Sequence, residues 1–137
     1  WTIPAIFVCI MTIGGFIGFI FPINNNLIEA GIILSVILLG FVISVEKKIP
    51  ILFITIFVGI FGLFHGTAHG IEMPKAANPF FFVLGFVSGT TTLHLFGVGI
   101  GYFSIKTTLS YFLLQLSGLI FAFYGNYLLY KLIKILL

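Results

Sequence analysis

Residues 49–74 read IPILFITIFVGIFGLFHGTAHGIEMP. From Ile49 to Phe64 the run carries no charge. About 20 consecutive apolar residues cross the hydrocarbon core of a bilayer as a helix. The run therefore predicts a transmembrane helix over 49–71, closed by Pro74, which cannot continue it. Its last turns break the apolar pattern with His65, His69 and Glu72, two of the three histidines in the chain and one of its three acidic residues. An ionisable side chain inside a span costs a few kcal/mol, so it is rarely there without a role.

On a helix, His65 and His69 are four apart and Glu72 three further on. At about 100° per residue the three fall within an arc of roughly 60°. Two imidazoles and a carboxylate on one face make a nitrogen and oxygen ligand set. That set suits Ni(II), Co(II), Zn(II) or Fe(II), and not Cu(I), which prefers sulfur. Gly62, Gly66 and Gly70 form a second stripe at i, i+4 spacing, where small residues let another helix approach closely.

The wider composition agrees with a membrane setting. The chain has 137 residues, 61% hydrophobic and 7% charged, and repeated apolar runs of span length. Every positive charge is a lysine, and the lysines lie in short loops and at the C-terminus, with no basic patch for nucleic acid. Cys9 is the one cysteine, so no internal disulfide forms. The chain opens on Trp1 without a Met or a signal-peptide pattern. A processed or missing N-terminus is the expectation.

Four further spans follow, giving an all-α, polytopic transmembrane helix bundle read as a single domain over 1–137. The first is expected at 3–21, with Pro4 in its first turn and a small-residue face of Gly14, Gly15 and Gly18. Pro22 to Asn26 is a polar turn. The second span is expected at 27–45. Glu29 near its beginning is either a metal or proton ligand, or an acid in the first turn favoured by the helix dipole. Glu46, Lys47 and Lys48 form a solvated loop.

The fourth span is expected at 80–103, with Gly85 and Gly89 in GxxxG spacing and His94 well inside. His94 is either a further ligand, or a residue held by a hydrogen bond, for example to Thr90 or Thr91 a turn earlier. It lies about 15 residues into its helix, roughly 20 Å along the axis, whereas His69 is near the end of its own helix at the side where the fourth begins. Either the fourth helix starts late or is broken, or the histidines form successive sites. The fifth span is expected at 108–132, after a loop at Lys106. Gln115 and Asn126 are its polar members, read as packing contacts, and Tyr111, Tyr127 and Tyr130 sit near its ends as interface anchors. Lys47, Lys48 and Lys106 on one side balance Lys75, Lys131 and Lys134 on the other, so charge does not set the orientation.

Several chemistries are missing from the sequence. There is no nucleotide-binding signature and no Asp for a Ser/His/Asp set. His65 and His69 have the spacing of a zincin helix, but Gly66 stands where that motif has its Glu. No permanently bound cofactor is expected.

The stretch from Phe64 to Pro74, FHGTAHGIEMP, resembles the FHGxAHGxExP signature of the HupE/UreJ family of nickel and cobalt permeases. Glu29-Ala30-Gly31-Ile32, with Ser35 and Gly40, is similar to the family's second-helix pattern. Gly89 to Leu95, GTTTLHL, resembles its later T-x-L-H stretch. The resemblance implies secondary uptake of Ni(II) or Co(II) through a multi-pass protein of the bacterial inner membrane, supplying hydrogenase or urease maturation. By position it implies His65, His69 and Glu72 as motif residues, with Glu29 and His94 as helpers. One departure stands out: the family's earlier His-Pro-x-x-Gly-x-Asp-His motif has no counterpart here, so five spans of about six are expected. The lipid bilayer and the divalent ion are the expected partners, with homo-oligomers or metallocentre-assembly proteins left open. The rival readings are an intramembrane metalloenzyme, a metal-binding accessory or chaperone subunit without transport, and a structural protein whose histidines only join helices.

Overall fold

The computed structural model describes residues 1–21, 23–45, 49–75, 78–104 and 107–137. Five α-helices account for nearly all of them: α1 (Thr2–Ile20), α2 (Asn25–Ser44), α3 (Ile51–Ile71), α4 (Pro79–Ser104) and α5 (Thr108–Leu136). All five are long and apolar enough to cross a membrane, and no strand occurs among the described residues. Pro22, the Glu46-Lys47-Lys48 loop and Lys106 lie outside the described residues.

The ends of the helices follow from local chemistry. Pro4 falls in the first turn of α1, and Phe21 after it is extended, as the residue before a proline is. Asn24 opens α2: its Oδ1 accepts from the Asn26 N–H at 2.9 Å, and its carbonyl accepts from Ile28 N–H at 3.3 Å. That capping draws the helix start back to Asn25. Glu29 is consequently beyond the first turn, which corrects the dipole reading given above. Asn78 caps α4 in the same way, accepting from the Phe80 N–H at 3.0 Å, with Pro79 at the first helical position. Thr107 caps α5, accepting from the Ser110 N–H at 3.1 Å.

The exposure pattern inverts that of a water-soluble domain. Among the described residues the buried large apolar side chains are few, Met11, Ile28, Ile33 and Leu132, while Phe80, Phe96 and Phe123 are 67–74% exposed. Apolar surface on this scale is matched by lipid, not water.

The described residues fall into two compact units. The first holds Trp1–Glu29 and Ile49–Leu95. Its seam joins α1 to α3, and the buried residues are almost all glycine: Gly14, Gly15 and Gly18 on α1, and Gly59, Gly62, Gly66 and Gly70 on α3. A Cβ on Gly66 would run into the Met11 carbonyl, one on Gly18 into that of Thr67, and one on Gly70 into that of Gly15. Both small-residue faces expected from the sequence thus meet one another, backbone to backbone. The pairs advance together along the two chains, so α1 and α3 run parallel.

The second unit holds Ala30–Lys48 and Phe96–Leu137. Here Gly40 on α2 faces Gly118 and Ala122 on α5, and Gly125 faces Ile37, so the two helices run antiparallel. Asn126, read above as a packing contact, turns back on its own helix: its Nδ2 donates to the Ala122 carbonyl at 2.8 Å. Lys131 Nζ lies 5.9 Å from the centre of the Tyr127 ring.

Candidate metal path in the first unit

His65 and His69 occupy the last two turns of α3, on the side opened by the glycine seam. Gly66 and Gly70, their neighbours in sequence, are pressed onto α1, which fixes the rotation of α3 about its axis. The two imidazoles then meet edge to face, with ring centres 4.9 Å apart and planes at 83°. Both are half-buried.

Two other helices close on this pair. Phe86 of α4 lies flat on His69, ring centres 5.2 Å apart and planes 8° from parallel. Phe7 of α1 sits between the remaining imidazoles, 5.8 Å from His65 and 4.8 Å from His94. His65 is within electrostatic reach of both other histidines.

The depth question raised by the sequence has a definite answer. α4 is one continuous helix from Pro79 and neither starts late nor breaks. Phe86 packs beside Gly15, and His94 beside Phe7, so α4 runs antiparallel to α1. His94 is eight residues beyond Phe86, about 12 Å at 1.5 Å per residue. His69, His65 and His94 therefore form a descending row of successive positions.

His94 is oriented by its own helix. Its Nδ1 lies 2.9 Å from the backbone carbonyl of Thr90. A carbonyl only accepts, so Nδ1–H is the donor and the Nε2 lone pair is left for a ligand. The bond goes to the Thr90 backbone, not to the Thr90 or Thr91 hydroxyl. Thr91 and Thr92 spend their hydroxyls on the carbonyls of Val87 and Ser88. Such a partner on the second ring nitrogen is the usual way a ligating imidazole is aimed.

The carboxylates stand apart from the row. Glu72 caps α3 in αR geometry, its N–H donating to the Ala68 carbonyl at 2.9 Å, with the side chain exposed at the α3–α4 end. Glu29 is exposed on α2. Among the described residues no three His, Cys, Asp or Glu side chains close on a common point. The structure brings His65, His69 and His94 into one row, and does not join Glu72 or Glu29 to it as a closed cage.

Sequence reasoning missed Phe7 and Phe86, both of which touch the histidines. Neither stands at a telling spacing from a polar residue. Only the pairing of α1, α3 and α4 reveals them.

A family model described as HupE / UreJ protein matches residues 1–128. The chain belongs to the HupE/UreJ family. Protein HupE of Rhizobium leguminosarum bv. viciae is 42% identical over 100 residues, which cover 73% of this chain and 52% of that protein. The chain spans about half the length of the curated HupE/UreJ relative it matches. No solved structure matches it. Membership agrees with the resemblance carried by Phe64–Pro74 and with the integral membrane character of the five helices.

Proposed function

We propose that this HupE/UreJ protein moves a divalent transition metal ion, nickel or cobalt, across a membrane by secondary transport for metalloenzyme maturation. One observation carries the reading: three imidazoles stand in a row between membrane-length helices, His69 to His65 to His94. A structural role needs no such row, since each histidine could bond its own helix separately.

Glu72, exposed at the α3–α4 end, supplies negative charge where the hydrated cation arrives. His69 and His65, as neutral imidazoles, each offer one ring nitrogen and replace water in the ion's shell. His94, with Nδ1 committed to Thr90, receives the ion through Nε2 about two turns deeper. Ligands spread along a path hold an ion moderately and hand it on. A resident catalytic or structural metal needs three or four ligands at one point. Nickel and cobalt both accept nitrogen and oxygen donors, so the ligand set serves either ion.

The test is radiolabelled nickel uptake, with cobalt as competitor, in cells expressing the full-length protein beside His65→Ala and His69→Ala at matched membrane levels. Uptake that both variants lose supports the reading. Uptake that both retain makes these histidines structural. Correct insertion without uptake in any form favours a metal-binding accessory role.

A further inference from the structure

We propose that Phe86 is a positioning residue for His69: its stacked ring fixes the plane of the imidazole and leaves the in-plane nitrogens open to an ion. The inference rests on the reading of His69 as a station for the ion.

The imidazoles are not all held alike. His94 has its Nδ1 tied to the Thr90 carbonyl, the usual way a ligating imidazole is aimed. Among the described residues neither His65 nor His69 makes a hydrogen bond. The χ2 torsion of a histidine is broad unless something restrains it, so another contact must set the plane of the His69 ring. Phe86 lies parallel to it within 8°, with centres 5.2 Å apart, in the offset stack that aromatic pairs favour. Turning χ2 out of that plane would drive an edge of the imidazole into the phenyl face.

The phenyl ring is itself seated. Its tip lies 3.1 Å from where a Cβ on Gly15 would be, so the missing side chain there gives it room against α1. Phe82 meets it edge-on, with centres 5.8 Å apart. Gly15 and Phe82 hold Phe86, and Phe86 holds His69. A stack on the flat face does not touch the nitrogens, which project in the ring plane. Among the described residues no buried side-chain nitrogen lacks a hydrogen-bond partner, so the unbonded nitrogens of His69 are not sealed in. Phe86 thus does for His69 what the Thr90 carbonyl does for His94, but commits neither nitrogen. His94 offers Nε2 alone, whereas His69 can bind through either nitrogen according to its tautomer.

The experiment first reads the ring without metal. In the full-length protein with ¹³C-labelled histidine rings, Phe86→Leu should lower the order parameter of the His69 ring and remove its ring-current shift. His94, tied to Thr90, should keep its order. Nickel affinity should then fall about twofold to tenfold, the factor corresponding to one aromatic contact. The same substitution in His69→Ala should cause no further loss. Phe86→Met, which also keeps bulk without a flat ring, carries the test if the leucine variant fails to insert. Phe81→Leu, at an exposed phenylalanine, should change neither reading. A His69 ring equally ordered without the Phe86 ring overturns the proposal, as does an equal loss of affinity with and without His69. Nickel affinity in the parent that Phe86→Leu leaves untouched overturns it too, and leaves the transport reading standing. A loosened ring in a protein whose parent binds no nickel keeps Phe86 as the group that fixes His69 and removes the transport reading.

Discussion

Glycines at the same i, i+4 spacing do opposite things on α3 and α4. On α3, a Cβ at Gly66 or Gly70 would strike backbone atoms of α1. On α4, among the described residues, nothing lies within 4 Å of a Cβ at Gly85 or Gly89, and no residue of that helix is buried. Spacing identifies a face that could be approached closely; only a partner with its own small face turns it into a seam. α1 supplies that face through Gly14, Gly15 and Gly18. The consequence for the metal path is a division of labour. α3 carries His65 and His69 on a helix locked to α1, whereas α4 brings His94 and Phe86 on a helix held mainly by side-chain rings.

The sharpest way to break this comparison is to add one methyl group to each helix. Gly66→Ala puts a carbon into the Met11 carbonyl, where backbone would have to shift. It should cost about 3 kcal/mol or more, the upper part of the range for overpacking, seen as loss of folded protein on detergent extraction and reversible unfolding. Equal stability of this variant and the parent would mean that the seam is looser than described.

The next effects concern the row of imidazoles. His69→Ala and His65→Ala should each lower nickel affinity by about tenfold to a hundredfold, read by equilibrium binding to the purified full-length protein, while folding is retained. His94→Ala should leave initial binding close to that of the parent and slow the overall passage of the ion. If His94→Ala weakened initial binding as much as His69→Ala, the histidines would act as one site and not as successive ones. Acid should act in the same direction as ligand removal, because a protonated imidazole has no lone pair to give. Metal binding should therefore weaken as the pH falls from about 7.5 to about 5, and constant binding over that interval would contradict histidine ligation.

The smallest effect belongs to Gly89→Ala. With open space around it, the variant should be unchanged or stabilised by up to about 1 kcal/mol through better helix propensity, measured beside Gly66→Ala in the same unfolding assay.

Much of this was legible in the sequence. Helix number and extent follow from apolar run length, and the two glycine faces of the α1–α3 seam follow from spacing within each helix. A run of three asparagines reads as a turn and places the start of α2 at Leu27, whereas the Asn24 cap starts the helix at Asn25 and leaves Glu29 beyond its first turn. Spacing within α4 could not tell that Gly85 and Gly89 would meet no small face among the described residues. Nor could it tell that Phe86 would cover His69, that Phe7 would sit between His65 and His94, or that the Thr90 carbonyl would hold the His94 ring. Those facts depend on which helix lies beside which, and periodicity along one helix contains no record of its neighbours.

The most direct test is ion flux in a closed system: purified full-length protein in liposomes with an entrapped nickel-sensitive dye, compared with His69→Ala, His65→Ala and His94→Ala at equal density. Entry of nickel through the parent, lost or strongly slowed in all three variants, is the predicted result. Flux equal in all four proteins would contradict the imidazole row as the path of the ion.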